Sequence, residues 1–370
     1  MHSEDAHGAV EEQPEHDPGG PEADDELAAG DVLGGRQDPR TGEQPAHDAC
    51  VDHGHEAEQA GPVLPPPELQ GPVVSTPPRE RCAACRLCAR PLPREPGGSA
   101  FDCIKGEGPA IGTPLRTEAD LARTKRFEPR EQLSYVLDAI RQIKQALGGR
   151  VPLIGFAGAP FTLASYAIEG GHSNNFAHTK SLMYGHPAAW HTFCDLIADI
   201  IGDYLVAQVE AGVDCVQLFD SWVGALNAVD YREFIMPHTK KIFARVAPTG
   251  VPTIHFGVGT GAILTELREA GGDVIGADWR TPLDEAWDRV GPDRGIQSNL
   301  DPTLLLGPLH RMFASTDYIL ARAGGRPGHI FYFGPGLPPS TPIAYVQAPS
   351  LHAPPRTRPS TWNQGTSFSP

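Results

Sequence analysis

Polar side chains that could bind or protonate a ligand follow several short apolar segments of this chain. Each stands near the end of a predicted buried strand, where α/β folds bind their ligands. Two of them are Tyr166, in a helix after the first such segment, and Ser221, shortly after the second. The other candidates at predicted strand ends are Glu169, Gln217, Asp220, His255, Asp278, Trp279, Gln297, Asn299 and Asp301.

Each candidate also has a purely structural interpretation. Tyr166 is compatible with a core tyrosine whose hydroxyl is satisfied, and His255 with a hydrogen-bonded core histidine. Asp278 and Asp301 have the residue type and position of helix caps. For each residue alone the structural interpretation is favoured, but their gathering at one rim of one predicted sheet favours a binding site.

The segment 151–171 is the one that must position Tyr166. Residues 151–157 are almost wholly apolar, which predicts a parallel strand covered on both faces. Gly158 and Pro160 predict a sharp turn, and Thr162 is a candidate cap for the next helix. Tyr166 therefore lies near the carboxyl end of this strand.

Strands and helices alternate over the following residues. Further strands are predicted at 213–219, 251–256, 274–277, 296–300 and 329–333. Helices are predicted at 131–147, 187–211, 262–270, 283–290 and 302–323, and from a capping box at Asp230, with a bend or break at Pro237. Six strand–helix steps predict a parallel sheet with crossover helices, and polar residues at the strand ends favour a closed (β/α) barrel. A doubly wound sheet stays open as an alternative.

Both ends of the chain differ from this middle. Residues 1–70 hold 18 acidic and two basic side chains, which accounts for the whole net charge of −16. Residues 1–100 contain no Phe, Tyr, Trp or Lys, and therefore little apolar surface to offset the entropy cost of ordering. We expect a disordered segment at 1–100, a barrel domain at 101–345 and a disordered tail at 346–370.

Composition argues against several classes of partner. Residues 71–370 carry no net charge, so no nucleic-acid surface is predicted. The chain has no run of 18 apolar residues and no basic and apolar leader, so we expect no membrane partner and a cytoplasmic protein. Seven cysteines, an odd number, do not indicate a disulfide framework.

Two groups of residues suggest metal ligation only weakly. Cys82, Cys85 and Cys88 form two CxxC steps but lack the further cysteine of an iron–sulfur motif, so a chance cluster is favoured. Four histidines without helical spacing are expected to be surface loop residues: His172, His178, His186 and His191.

Five segments together resemble one enzyme family: GFAGAPFTLASYAIEGG (155–171), QLFDSW (217–222), PTIHFGVGTG (252–261), GADWR (276–280) and QSNLDP (297–302). In this order and spacing, the chain is similar to uroporphyrinogen decarboxylases over about residues 101–345. The resemblance implies a (β/α)8 TIM-type barrel, here incomplete at its first strand, that works as a homodimer and without a cofactor or metal. The implied reaction removes carbon dioxide from the four acetate side chains of uroporphyrinogen III to give coproporphyrinogen III.

The resemblance also implies roles for four residues. Tyr166 and Ser221 match hydroxyls that bind substrate carboxylates, and Phe156 and Phe219 match an apolar wall. In the implied chemistry, a protonated pyrrole accepts the electrons that the departing carbon dioxide leaves behind. Such a site must supply groups that bind anions, an acid and a partner for the pyrrole N–H groups.

The chain departs from the family at both ends. The family's arginine motif RQAGR and its first-strand FSDI-type aspartate motif are absent, and Asp102 matches a later, non-catalytic position. Pro335 stands where the family has a substrate-facing histidine. No catalytic residue is therefore matched, and we expect little or no turnover. We interpret both ends as out-of-frame sequence, which resequencing of the locus would test.

Three other functions stay open. A corrinoid-linked methyltransferase of the same superfamily would bind zinc through a His-x-Cys pair, but His255-Phe-Gly257 lacks the thiolate. A nucleotide-binding protein is suggested by Gly257-Val-Gly-Thr-Gly261, whose spacing is GxGxG and not GxGxxG. An inactive or binding-only homologue is the third alternative, since a barrel without its first strand has an open edge.

Overall fold

The computed structural model of the chain describes residues 101–104, 108–334, 336–338 and 340–346, without the side chains of residues 101–110 and 299. The expected segment 1–100, the cysteine cluster in it and nearly all of the expected tail at 346–370 lie outside the described residues.

The secondary structure alternates between strands and helices. The strands are β1 (Phe101–Ile104), β2 (Gly108–Ile111), β3 (Ile154–Gly158), β4 (Cys215–Asp220), β5 (Thr253–Gly257), β6 (Val274–Ala277), β7 (Gly295–Asn299) and β8 (His329–Tyr332). The α-helices are α1 (Glu118–Ala122), α2 (Pro129–Gln132), α3 (Ser134–Leu147), α4 (Pro160–Glu169), α5 (Ala177–Gly185), α6 (Pro187–Ala211), α7 (Ala228–Asp230), α8 (Met236–Val246), α9 (Leu264–Ala270), α10 (Leu283–Val290) and α11 (Leu309–Ala323).

Strands β3 to β8 form one parallel sheet in chain order, each hydrogen-bonded to the next. These are the six predicted strands, with ends that differ from the prediction by at most three residues. Strands β1 and β2 form a separate antiparallel hairpin that the sequence analysis missed. Each has only four residues, too few for an alternating pattern to be recognised.

Contacts across the sheet show that it curls into part of a barrel. Gln217 on β4 and Gln297 on β7 exchange two hydrogen bonds between their side-chain amides, at 3.3 and 3.2 Å. The rings of Phe256 on β5 and Tyr332 on β8 lie 5.6 Å apart. Both pairs join strands that are three positions apart in the sheet, a separation of roughly 14 Å in a flat sheet. The α/β barrel class is therefore confirmed over the doubly wound alternative.

Helix α6 covers the outer face of β3. A Cβ added at Gly155 would lie 2.7 Å from the Gln208 Oε1 atom and 3.0 Å from Val213, so only glycine allows this close approach. The Gln208 amide in turn accepts from the backbone N–H of Phe156 at 3.0 Å and donates to its carbonyl at 2.9 Å. A side chain thus satisfies both backbone groups at this point of the edge strand.

The long helix α6 matches its predicted bounds. Pro187 starts it, because a proline in the first turn needs no backbone donor, and Gly212 ends it at φ 113°. No helix in the described part of the chain is long and apolar enough to cross a membrane.

The helix expected from Asp230 is built differently. Asn227 is its cap, accepting from the Asp230 backbone N–H at 2.9 Å, so the predicted capping box on Asp230 is wrong. A π-helical turn at Tyr231–Ile235 separates α7 from α8. Pro237 lies in the first turn of α8, which explains the predicted break.

Thr162 does not cap α4. The helix begins two residues earlier at Pro160, after Ala159 in extended backbone conformation, and no side chain in the described ranges caps it. Proline is preorganised for the first helical position, so the start of the helix needs no hydroxyl from Thr162. This hydroxyl instead bonds to the last residue of β4 and to the turn after it, as described below.

Candidate functional site

The carboxyl ends of β3 and β4 bring the two candidate hydroxyl residues to one rim of the barrel. Tyr166 lies in α4, which follows β3, and Ser221 directly follows β4. The two strands are neighbours in the sheet, and the register pairs Gly158 with Phe219. Tyr166 is buried and Ser221 is half-buried. Trp222 links them, since it follows Ser221 and its ring lies 4.0 Å from the ring of Tyr166.

A row of aromatic rings lines the inner face of the sheet below this rim. Phe156 and Phe219 meet edge to face at 5.8 Å. Phe219 contacts Phe256 at 5.8 Å, and Phe256 contacts Tyr332 at 5.6 Å. Phe156 at the β3 end of the row is 53% exposed, although it lies on the inner face of a strand. The row therefore forms an apolar wall that a flat, apolar ligand body can contact.

Two of these rings were not identified from the sequence. Phe256, which is fully buried, and the half-buried Tyr332 lie behind and beside the wall that Phe156 and Phe219 begin. For Phe256, the signal that could have found it is its place at the end of a predicted strand, which Phe219 shares. The register pairs these two residues. Burial raises the pKa of the Tyr332 hydroxyl to about 12, so it stays a neutral hydrogen-bonding group at physiological pH.

Asp220 closes β4 on the opposite, helix-facing side of the sheet. Its side chain is fully buried and accepts a hydrogen bond from the Thr162 hydroxyl at 3.0 Å. Its second oxygen, Oδ2, has no hydrogen-bond partner among the described residues. Burial raises the pKa of this carboxyl to about 7, against the lowering effect of Thr162. Asp220 is thus a buried acid behind the rim and not part of the aromatic wall.

Asp278 is a structural carboxylate. It accepts hydrogen bonds from the backbone of Gly259 and from the side chain and backbone of Arg280, the latter two at 2.7 and 3.0 Å. The Arg280 guanidinium also lies over the Trp279 ring at 4.1 Å. Asp278 therefore connects the loop after β5 to the loop after β6 through hydrogen bonds. Asp301 caps the 3₁₀ turn Pro302–Leu306, as its structural interpretation required.

His255 lies within β5 and not at the end of that strand. It is fully buried, its Nδ1 lies 3.2 Å from the Leu267 carbonyl of α9, and its ring contacts Phe243 of α8. Burial lowers its pKa to about 4, so it is neutral. The predicted strand ended one residue too early, at 256, and so placed this histidine too near the rim. The interpretation as a hydrogen-bonded core histidine is the correct one.

His191 lies on α6. The prediction that it is a loop residue is wrong. Its Nδ1 is 2.9 Å from His238 Nε2, and His238 Nδ1 is 2.7 Å from an Asp195 oxygen. This chain of three side chains joins α6 to α8, away from the aromatic wall. In the part of the chain that the structure describes, no group of three or more His, Cys, Asp or Glu is placed to hold a metal ion.

Two sequence departures fall outside what the structure describes. Pro335 and the side chain of Asp102 are not among the described atoms. The missing arginine motif concerns residues before 101. The expectations that rest on these positions stay predictions.

Comparison with known proteins identifies the relatives of this chain. The family model for uroporphyrinogen decarboxylase matches residues 92–349. A uroporphyrinogen decarboxylase of Sorangium cellulosum is 53% identical over 257 residues, which cover 70% of this chain and 74% of the relative. One from Carboxydothermus hydrogenoformans is 48% identical over 256 residues, 69% of this chain and 73% of the relative.

Among solved structures, a methyltransferase from Methanosarcina mazei matches with a TM-score of 0.61 and 19% identity. The match covers 73% of this chain and 77% of that chain. At this identity the similarity concerns the fold alone.

Proposed function

We propose that this chain, which belongs to the uroporphyrinogen decarboxylase family, binds uroporphyrinogen III and converts it to coproporphyrinogen III. The observation that carries the proposal is the position of Tyr166 and Ser221 after neighbouring strands, joined through Trp222 and adjacent to an aromatic wall. Hydroxyls beside an apolar surface suit a ligand with a flat body and carboxylate arms.

The reaction needs no cofactor in principle. Protonation of a pyrrole ring produces a cation, and the bond between the acetate carboxyl and its methylene carbon then breaks. The electron pair of that bond passes into the ring system and carbon dioxide leaves. The methylene carbon takes up a proton, and the ring then releases the proton that it gained, which restores the neutral pyrrole. In this scheme the hydroxyls of Tyr166 and Ser221 hold carboxylates of the substrate. The rings of Phe156 and Phe219 exclude water on one side, which strengthens those hydrogen bonds.

We propose that turnover by this chain is slow. The family's arginine and first-strand aspartate motifs are absent from the sequence, and Pro335 replaces its histidine. Loss of one preorganised electrostatic partner commonly costs about 10² to 10³ in rate. The site would then bind its substrate through hydroxyls while lacking charged groups that assist protonation.

Two further properties are part of the proposal: the location expected from the sequence and the oligomeric state that the family resemblance implies. We propose that the chain works in the cytoplasm and that it forms a homodimer. Sedimentation of the purified protein would distinguish the dimer from a monomer.

Substrate binding by single variants tests the proposed roles. Tyr166→Phe and Ser221→Ala each remove one hydroxyl and should weaken binding of uroporphyrinogen III, measured under anaerobic conditions, by about three- to tenfold. Matched controls are Tyr184→Phe and Ser181→Ala on α5, both exposed. Unchanged affinity in both site variants, or equal losses in the controls, would show that these hydroxyls do not bind the substrate.

A further inference from the structure

One buried hydroxyl lies between the two candidate binding residues. Thr162 Oγ1 donates to Asp220 Oδ1 at 3.0 Å and accepts from the Trp222 backbone N–H at 3.3 Å. Its two partners are the residues on either side of Ser221. The Thr162 hydroxyl therefore fixes the turn that carries Ser221 from both ends.

The same threonine is linked to Tyr166 through α4. Residues 162 and 166 are four apart in the helix and so lie on one face, one turn from each other. The Tyr166 ring packs against Trp222 at 4.0 Å with an interplanar angle of 36°. Trp222 is thus bonded to Thr162 through its backbone and contacts Tyr166 through its ring.

The surroundings hold this arrangement rigidly. Thr162 is 4% exposed and Asp220 is fully buried, so water does not compete for their hydrogen bond. The backbone N–H of Ala159, just before α4, donates to the Phe219 carbonyl at 2.7 Å. On the other side of Trp222 lies Phe176 at 5.2 Å.

Phe176 adds backbone strain next to this unit. Its φ of 54° is the only positive φ of a non-glycine residue in the described ranges. Strained backbone of this kind persists where the surrounding structure enforces it, and such residues cluster at functional sites.

The carboxyl partner is also costly to retain. A fully buried carboxyl opposes folding when one of its oxygens has no partner among the described residues, because burial of an unsatisfied polar atom is unfavourable. A leucine or a valine at position 220 would avoid this cost but would leave Thr162 without an acceptor. The free-energy cost of burying Asp220 is accounted for if its hydrogen bond with Thr162 positions the binding residues.

We infer that Thr162 and Asp220 form a positioning pair that sets the hydroxyls of Ser221 and Tyr166 relative to each other. The inference rests on the proposed function in so far as these hydroxyls bind substrate carboxylates. Thr162 and Asp220 themselves lie behind the rim and act through Ser221, Trp222 and Tyr166.

The test compares Thr162→Val, which keeps the side-chain shape without the hydroxyl, with Thr162→Ser, which keeps the hydroxyl. The matched control is Thr316→Val, a buried threonine whose hydroxyl donates to the Met312 carbonyl within α11. The first readout is the near-ultraviolet circular dichroism of the full chain, because the contact between Tyr166 and Trp222 contributes to it. Trp222→Phe identifies that contribution.

We expect Thr162→Val to lose the Trp222-dependent signal, while Thr162→Ser and Thr316→Val retain it. In anaerobic binding of uroporphyrinogen III, Thr162→Val should weaken affinity by about tenfold and Thr162→Ser should restore it. If Thr162→Val does not fold, Asp220→Ala removes the acceptor instead and should cause the same losses.

The two readouts separate the inference from the proposed function. A lost dichroism signal in a protein that never binds uroporphyrinogen III would support the positioning pair and contradict the substrate. An unchanged signal in folded Thr162→Val, or in folded Asp220→Ala, would overturn the positioning pair whatever the substrate is.

Discussion

The side-chain amides of Gln217 and Gln297 exchange two hydrogen bonds across the inside of the sheet, although β4 and β7 are separated by two other strands. Both side chains are buried. The pair therefore joins opposite parts of the barrel wall below the aromatic row. It is the most direct sign that six parallel strands curl around a common interior.

Replacing one glutamine of this pair should destabilise the barrel. Gln217→Leu leaves the Gln297 amide buried without its partner, and we expect a loss of about 1–3 kcal/mol in the free energy of unfolding. The double variant with Gln297→Leu should recover part of that loss, because no unsatisfied amide remains. Chemical denaturation of all four proteins measures the coupling. Exposed Gln145→Leu on α3 is the control, expected to change stability by less than about 0.5 kcal/mol.

The buried His255 should make stability fall in mild acid. Burial lowers its pKa from 6.5 to about 4 in the folded chain, so the unfolded chain takes up the proton first as pH falls. The stability present above pH 6.5 should decline towards pH 4 by on the order of 3 kcal/mol, at 1.36 kcal/mol per pKa unit. His255→Asn keeps a donor near the Leu267 carbonyl but does not titrate. The unfolding midpoints of the two proteins should therefore converge as pH falls; parallel curves would exclude this source of acid sensitivity.

Asp220 should have the opposite dependence on pH. Burial raises its folded pKa from 3.8 to about 7. The contribution of Asp220 to the free energy of unfolding is therefore fully present below pH 3.8 and is lost as pH rises through 7. Asp220→Asn retains an acceptor for Thr162 and cannot ionise. Relative to the wild type, this variant should gain stability between pH 4 and pH 7, by up to on the order of 4 kcal/mol. Thermal unfolding over this range measures the difference, and a difference that stays constant with pH would mean that Asp220 titrates normally.

The alternation of strands and helices could be predicted because each element satisfies its own local rules. Helix α6 has a proline at its start, a glycine after its end and an apolar face between them, and its bounds matched. The order of six parallel strands followed from the same pattern. The hairpin of β1 and β2 was missed because such short strands carry no distinguishable period.

The predictions that failed concern residues whose positions depend on contacts with distant parts of the sequence. Thr162 had the local position of a cap, but the structure uses its hydroxyl for Asp220, 58 residues later. His191 seemed isolated by its spacing because its partner, His238, lies on another helix. Which face of a strand turns inward also depends on the register, and this is why Phe256 and Tyr332 were not recognised as part of the wall.

The most direct test of the proposed function is the conversion of uroporphyrinogen III by the full chain, measured beside the Sorangium cellulosum relative. Products are separated by chromatography under anaerobic conditions after equal incubation. We expect the substrate to bind and coproporphyrinogen III to form at least about 10²-fold more slowly than with the relative. Turnover at the relative's rate would contradict our account of the missing charged groups. A chain that neither binds nor converts uroporphyrinogen III would contradict the proposed function itself.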